Sequence, residues 1–336
     1  MTDTPPGRPA AVKTAIAESF VLAGLCLVAI PLAPPSIIPC AVFLAVALGL
    51  RHGNAWSGFG GALYLAAQCA ADLAGLARFG AAGAPRVSVI LAIAFIAALA
   101  FPLFLAGRAL FGNGRTRFRW GWIALATVTL LAPQVFRAYL IPTGAMEDTI
   151  LIGDQLLVRV LGVSAPSRGG IFVYRYPVDI RQTFVKRCMG VPGDRLKLVN
   201  KEVYLNGKKL VEPYAYHKTG YIESYRDNFP SETNVHLADP GRDMLEHHVL
   251  SGEVVVPPDN YFVMGDNRDS SLDSRYWGFV PRANLIGTPW IVYWSSEART
   301  EALAGSGIDI ADRYRHFFTN TRWRRILMPI RGYAVN

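Results

Sequence analysis

Lys186 is the residue of this chain best placed to do chemistry. It lies in VKRCMGVPGD at 185–194, preceded by Phe184 and Val185, with no carboxylate within four residues on either side. Burial among apolar groups drives a lysine toward its neutral form. Reaching neutrality near pH 7 from the usual value takes roughly three pKa units, or about 4–5 kcal/mol. A neutral lysine can take the proton of a serine hydroxyl and make that serine a nucleophile. Val-Lys-Arg alone also fits a lysine at a sheet edge, so two further segments decide between the readings.

The first is MGDNRDSSLDSRYWGFVP at 264–281, which gathers Asp266, Asn267, Arg268, Asp269, Ser271, Asp273 and Arg275 within ten residues. Charges and hydroxyls at this density read as a buried polar network that holds other groups in place. A solvated Asp/Arg loop is the plainer alternative. The apolar YFVMG before the loop and the Tyr276–Trp277 pair after it favour an anchored turn. The second segment is IPTGAMEDT at 141–149, which follows directly on an apolar stretch.

In order and spacing the three segments resemble bacterial type I signal peptidase (leader peptidase), a family of Ser-Lys dyad serine proteases. The resemblance covers about residues 120–295. The family's first segment reads Pro-Ser-Gly-Ser-Met-x-Pro-Thr-Leu, and its second serine is the nucleophile. That position is Ala145 here. The resemblance implies that Lys186 is the general base, and that Thr143 and the Ala145 backbone N–H form the oxyanion hole. Ser271 would hold the lysine amine, with Asp273 and Arg275 as an ion pair beneath it and Asp266 and Arg268 in support. Met146, Phe184 and Val185 would lie against substrate. Two departures stand out: Asp148 replaces the family's proline, and the Arg-Gly-Asp box before the lysine strand reads Arg168, Gly169, Gly170, without its acid.

The implied activity is that of a membrane-bound endopeptidase removing signal peptides from secretory preproteins after small-x-small sites. A methyl group cannot attack a carbonyl, so the chain as written should not cleave by this route. Three accounts of Ala145 fit: a serine replaced, a natural variant that binds signal peptides without cutting, or a nucleophile moved to Thr143. Lys186, Ser271, Asp273 and Arg275 all remain, although a chain released from catalysis would be expected to lose them.

These groups must be positioned by the C-terminal half, 138–336. Period-2 runs punctuated by Gly, Pro and Asn fill 151–295: DQLLVRVL, GIFVYRY, FVKRCMG, RLKLVNKEVYLNGKKL, EVVVP and NYFVMGD. Asn206-Gly207 marks a two-residue hairpin. The expectation is a mostly antiparallel β domain, with a polar surface insertion at about 212–250 and a helical tail from about 306. The basic tail residues Arg322, Arg324 and Arg325 read as a solvated face. Tyr176, Trp290, Tyr293 and Trp294 are candidates for lipid contact or core packing.

Residues 1–137 are rich in Ala, Leu, Val and Ile and nearly free of acidic residues. Crossing a bilayer takes about 20 apolar residues. Segments 15–33, 36–50, 58–77, 87–107 and 121–136 predict about five transmembrane helices, the second of them short. Arg108, Arg115, Arg117 and Arg119 put the loop 108–119 on the cytoplasmic side. The fold class is therefore a multi-pass α-helical membrane region followed by an antiparallel β domain. The resulting location is the bacterial cytoplasmic (inner) membrane, with the catalytic domain on the periplasmic side. Asp72, in the third span, reads as a polar contact between helices.

The net charge of +9 fits a membrane protein with basic loops; no aromatic-basic motif argues for nucleic acid. The implied partners are secretory preproteins and the lipid bilayer. Four cysteines show no CxxC or Cys/His spacing. His247 and His248 lack partners at metal-ligand spacing, so no metal or cofactor is expected.

Overall fold

The computed structural model describes residues 9–29, 37–79, 86–111, 120–231, 237–297 and 315–333. The chain forms two compact units, one of Met1–Val135 and Asp309–Phe317, the other of Phe136–Ile308 and Phe318–Asn336. The link between the first two apolar segments, most of the basic loop 108–119 and the side chain of Asp72 lie outside the described residues.

Among the described residues, the first unit holds five helices: α1 (Ala10–Ala29), α2 (Ile37–Arg51), α3 (Ala55–Phe79), α4 (Arg86–Phe111) and α5 (Trp120–Val135). Each falls on one of the five apolar segments. Among the described residues, one stretch is long and apolar enough to cross a membrane, Ala10–Leu27; Ile38–Arg51, Ala98–Phe111 and Gly121–Val135 are shorter apolar helices. Small residues let α3 and α4 approach: a Cβ on Gly58 would collide with the backbone at Leu103 and Gly107.

Among the described residues, the second unit carries thirteen strands. In chain order these are β1 (Phe136–Leu140), β2 (Asp154–Arg159), β3 (Ile171–Arg175), β4 (Thr183–Gly190), β5 (Arg195–Val199), β6 (Glu202–Leu205), β7 (Lys208–Lys209), β8 (Val249–Leu250), β9 (Glu253–Val255), β10 (Asn260–Met264), β11 (Val280–Pro281), β12 (Leu285–Ser295) and β13 (Met328–Pro329). All pair antiparallel. The larger sheet runs β1-β2-β12-β3-β4-β10-β11, with β13 on β12; the smaller runs β7-β6-β5-β9-β8. Asn206 and Gly207 both take positive φ, the geometry a two-residue hairpin needs between β6 and β7.

Several expectations change. Phe136 and Arg137, read as the end of the last span, begin strand β1. β12 joins β2 to β3, yet it has no clean alternation in sequence. Pro289 interrupts it, and its register against β2 shifts twice. The 212–250 segment is not confined to the surface: Tyr214, Tyr225, Phe229, Leu237 and Met244 are buried. Its aromatic residues carry enough apolar area to join the core beside Phe262 and Met264. The described part of the tail has one α-helical turn, Phe317–Asn320, and a 3-10 turn, Trp323–Arg325, and then returns as β13. A short helix, α6 (Asp239–His247), and a one-turn helix, α7 (Ser274–Trp277), complete the described elements used below.

Candidate active site

Lys186 projects from β4, which is hydrogen-bonded on both edges, to β3 and β10. Lys186 shares a face of the sheet with its cross-strand partner Phe172 and with Cys188, both of which enter one apolar cluster, and it also lines a cavity of about 340 Å3. Thr143, Ala145, Met146, Phe184 and Val185 line the same cavity. The structure thus brings six of the sequence-selected residues to one wall-to-wall space, which is apolar over most of its lining.

Lys186 is 3 % exposed, and its Nζ donates to Ser271 Oγ at 2.8 Å. Burial lowers its pKa to about 8, against the pull of Asp273 and Asp266 and with the help of Arg275. An amine so placed is uncharged in a substantial fraction of molecules at mildly alkaline pH. It can then receive a proton from a hydroxyl, or attack an electrophile itself.

Behind the amine lies the turn between β10 and α7. Asp273 caps α7 by accepting from the Arg275 backbone N–H, and Arg275 returns two side-chain bonds at 2.9 and 2.8 Å. Burial opposes ionisation of Asp273, but the Arg275 guanidinium outweighs it and holds the carboxyl below its ordinary range. Asp273 also accepts from the Gly265 backbone N–H at 3.1 Å. Gly265 must stay small, because a Cβ there would collide with the Ala145 carbonyl oxygen and the Ser271 hydroxyl.

Asp266 and Arg268 belong to the network through partners from elsewhere in the chain. Asp266 takes a bidentate bond from Arg187 (2.7 and 2.5 Å) and a third bond from the Thr149 hydroxyl at 2.6 Å. Arg268 pairs with Glu212. Of the turn's charges, only Asp273 and Arg275 pair with each other; density alone could not reveal this. The 212–250 segment cradles the turn. Tyr216 exchanges backbone bonds with Asp266 and Arg268, and the Tyr225 hydroxyl donates to the Arg275 carbonyl at 2.6 Å.

The Ala145 loop is bolted from both sides. Met146 and Ile150 are buried in a cluster with Leu156 and Val173. Asn267 donates from its backbone N–H to the Ala145 carbonyl at 3.2 Å and from Nδ2 to the Gly144 carbonyl at 3.0 Å. Further along, Arg325 grips buried Asp154 through two bonds and donates to the Thr149 carbonyl at 3.1 Å. Arg325 is therefore a structural clamp rather than part of a solvated face. Asn267 belongs to the polar network expected from the sequence, and Arg325 to the face expected to be solvated. Arg187, Glu212 and Asp154 are not selected from the sequence, and of these Arg187 carries a signal by lying inside a quoted motif. Arg168, which lacks the acid of its box, finds one in Asp194 from the Gly-x-Pro-Gly-Asp turn.

Among the lipid-contact candidates, Tyr176 stacks on Phe184, Tyr293 donates to Gln155, and Trp294 meets Trp323 edge-on. Trp290 stacks on Phe136 and stays half-exposed. His247 lies beside Asp243 on the exposed face of α6.

The family model described as signal peptidase, peptidase S26, matches residues 115–294. Signal peptidase I of Aquifex aeolicus is 31% identical over 214 residues, covering 52% of this chain and 82% of its own. Signal peptidase I of Bacillus caldolyticus is 33% identical over 180 residues, covering 52% and 90%. Signal peptidase I of Pseudomonas fluorescens is 30% identical over 200 residues, covering 51% and 69%. A crystal structure of a signal peptidase I from Enterococcus faecalis is 31% identical and covers 38% of this chain and 98% of its own; its TM-score of 0.28 is too low to bear on the fold. With more than half of its length matched by one family and with relatives aligned over most of their own chains, this protein belongs to the signal peptidase family, peptidase S26.

Proposed function

We propose that this protein recognises signal peptides at the outer face of a bacterial cytoplasmic membrane, in a site built for Ser-Lys cleavage that lacks only the serine. One observation carries the reading: a buried lysine, held by Ser271, faces a mostly apolar cavity whose lining includes Ala145. With serine at 145, Lys186 would take the hydroxyl proton as the oxygen attacks the scissile carbonyl, then deliver it to the leaving amine. The Thr143 hydroxyl and the residue-145 backbone N–H would receive the developing negative charge. Asp273 and Arg275 would fix Ser271, and through it the amine.

An extended preprotein segment would add to the strand edges around Leu140 and Thr183, with alternate side chains entering the cavity. The limited volume suits Ala-sized groups, as a small-x-small site requires. The helical unit is read as five membrane spans, with its basic loop inside and the β domain on the periplasmic side. This places the site where a signal peptide leaves the bilayer.

With Ala145 in place, the same cavity binds without cutting. Ser271 is no substitute nucleophile. It is 7 % exposed and hydrogen-bonded to Lys186 and Asp273, and its neighbours Ser270 and Leu272 are the ones that line the cavity.

The test is Ala145→Ser in the full chain in detergent, with a preprotein carrying an Ala-x-Ala site. Cleavage that appears with serine and is lost on adding Lys186→Ala supports the reading. Absence of both cleavage and signal-peptide binding in either form overturns it.

A further inference from the structure

A signal peptidase site normally presents a hydroxyl to the carbonyl of its ligand. Here position 145 presents a methyl, and the cavity lining holds one amine among its described residues, Lys186. Thr143, Thr183, Tyr139 and Ser270 also line the space, but the hydrogen bond of Lys186 goes to Ser271 instead. The lysine is thus not committed to activating any hydroxyl that faces the ligand.

We propose that the Lys186 amine is itself a carbonyl-trapping site, forming an imine with aldehydes that are carried on short, small-residue peptides. This rests on the peptide-binding reading of the cavity. Lys186 is 3 % exposed, and its walls are mainly apolar. Apolar walls hold water poorly, which favours an imine against hydrolysis. The charged groups acting on the amine are Asp273, Asp266 and Arg275, and each carboxylate is held by an arginine. Neither acid is therefore free to lock the lysine into an ion pair.

The step balances within the two reactants. The Nζ lone pair forms a C–N bond to the aldehyde carbon while a proton passes from nitrogen to the carbonyl oxygen, giving a carbinolamine. The hydroxyl then leaves with the remaining N–H proton as water, and the C=N bond forms. Cyanoborohydride, added as a probe, delivers hydride to the imine carbon, and solvent supplies the proton. The result is a stable secondary amine.

The experiment uses the full chain in detergent at pH 8 with acetyl-Ala-Ala-alaninal and cyanoborohydride, followed by peptide mapping. The chain has seven lysines, so six serve as internal controls. At pH 8 an ordinary lysine is neutral in about 0.4 % of molecules. Lys186 should be labelled at least ten-fold faster than any other lysine, and faster by the tripeptide aldehyde than by butanal. Lys186→Arg, which keeps a long basic side chain, should abolish the fast phase. Equal labelling of all seven lysines, or none at Lys186, overturns the proposal. Binding of the matching peptide alcohol is measured in parallel. If it binds without an adduct, the amine proposal fails and the peptide-binding reading stands. If butanal labels Lys186 selectively while the peptide alcohol does not bind, the amine is reactive and the peptide-binding reading fails.

Discussion

Lys186 and Ser271 are separated by 85 residues in sequence and by 2.8 Å in space. The contact works because each partner is fixed by a different device. Lys186 is carried by a central strand whose register is set on both edges, while Ser271 sits in a turn pinned by Asp273, Arg275 and Arg268. The lysine bonds a hydroxyl rather than a carboxylate, so burial opposes its charge more strongly than the more distant Asp273 and Asp266 support it.

That opposition predicts a pH-dependent cost. Unfolded, Lys186 titrates at about 10.5, as an ordinary lysine does, and folded at about 8. Between these values the unfolded chain holds the extra proton, so stability rises with pH across the window. Below about 8 both states are protonated and the fold bears the whole penalty, on the order of 3 kcal/mol. Lys186→Met should therefore raise the melting temperature by several degrees at pH 7, with the gain shrinking toward pH 10. Thermal unfolding in detergent at several pH values measures it; a gain that grows with pH contradicts the assignment.

Ser271→Ala removes an acceptor that favours the ammonium form. In the Ala145→Ser background, kcat should fall by about 10- to 100-fold, because the amine loses its fixed direction. The acidic limb of the pH–rate profile should also move below 8, since a hydrogen bond to the charged form is lost. Ser271→Thr should recover part of the rate. A drop in kcat with the limb unmoved would indicate general loosening of the turn instead.

How much of this site was readable in advance depended on where each residue's partner lies. Lys186, Ser271, Asp273 and Arg275 are legible because they sit in dense motifs, and Asp273–Arg275 is a local pair. Strands β2, β5 and β6 are legible because their alternation is clean, and β3 because it is a short apolar run bounded by turn residues. β12 is not, because Pro289 and two register shifts break the period while pairing on both sides holds the strand. The partners Arg187–Asp266, Arg268–Glu212 and Arg325–Asp154 join segments 56 to 171 residues apart, and no local pattern encodes such distances. The 212–250 segment misleads for a related reason. Its polar residues are visible in sequence, while the burial of Tyr225 and Phe229 depends on a core assembled from elsewhere.

Arg187 and Asp266 are both fully buried, so breaking the pair exposes the cost of an uncompensated charge. Arg187→Met should lose about 3–5 kcal/mol of stability by denaturant unfolding. Adding Asp266→Leu should recover a good part of that loss, although the Thr149 hydroxyl then loses its acceptor. A double variant no better than the single would show that the guanidinium acts through its 3.8 Å stacking on Tyr214 more than through its charge.

The clamp between Arg325 and Asp154 gives a prediction at a distance from the amine. Asp154 is buried and accepts from the Leu151 backbone N–H and the Ser295 hydroxyl, while Arg325 also holds the Thr149 carbonyl. Residues 149–154 end the loop that carries Ala145, so the tail fixes one end of that loop from a segment more than 170 residues away. Arg325→Met strips Asp154 of its bidentate partner and frees the Thr149 carbonyl. Stability should drop by about 2–4 kcal/mol, and signal-peptide affinity should weaken about ten-fold as position 145 loses its register against Lys186. Arg324→Met is the control, because Arg324 is exposed beside the clamp. Calorimetry on both variants at equal folded fraction separates the effects. If Arg325→Met lowers stability while affinity holds, Asn267 alone suffices to keep the loop in place.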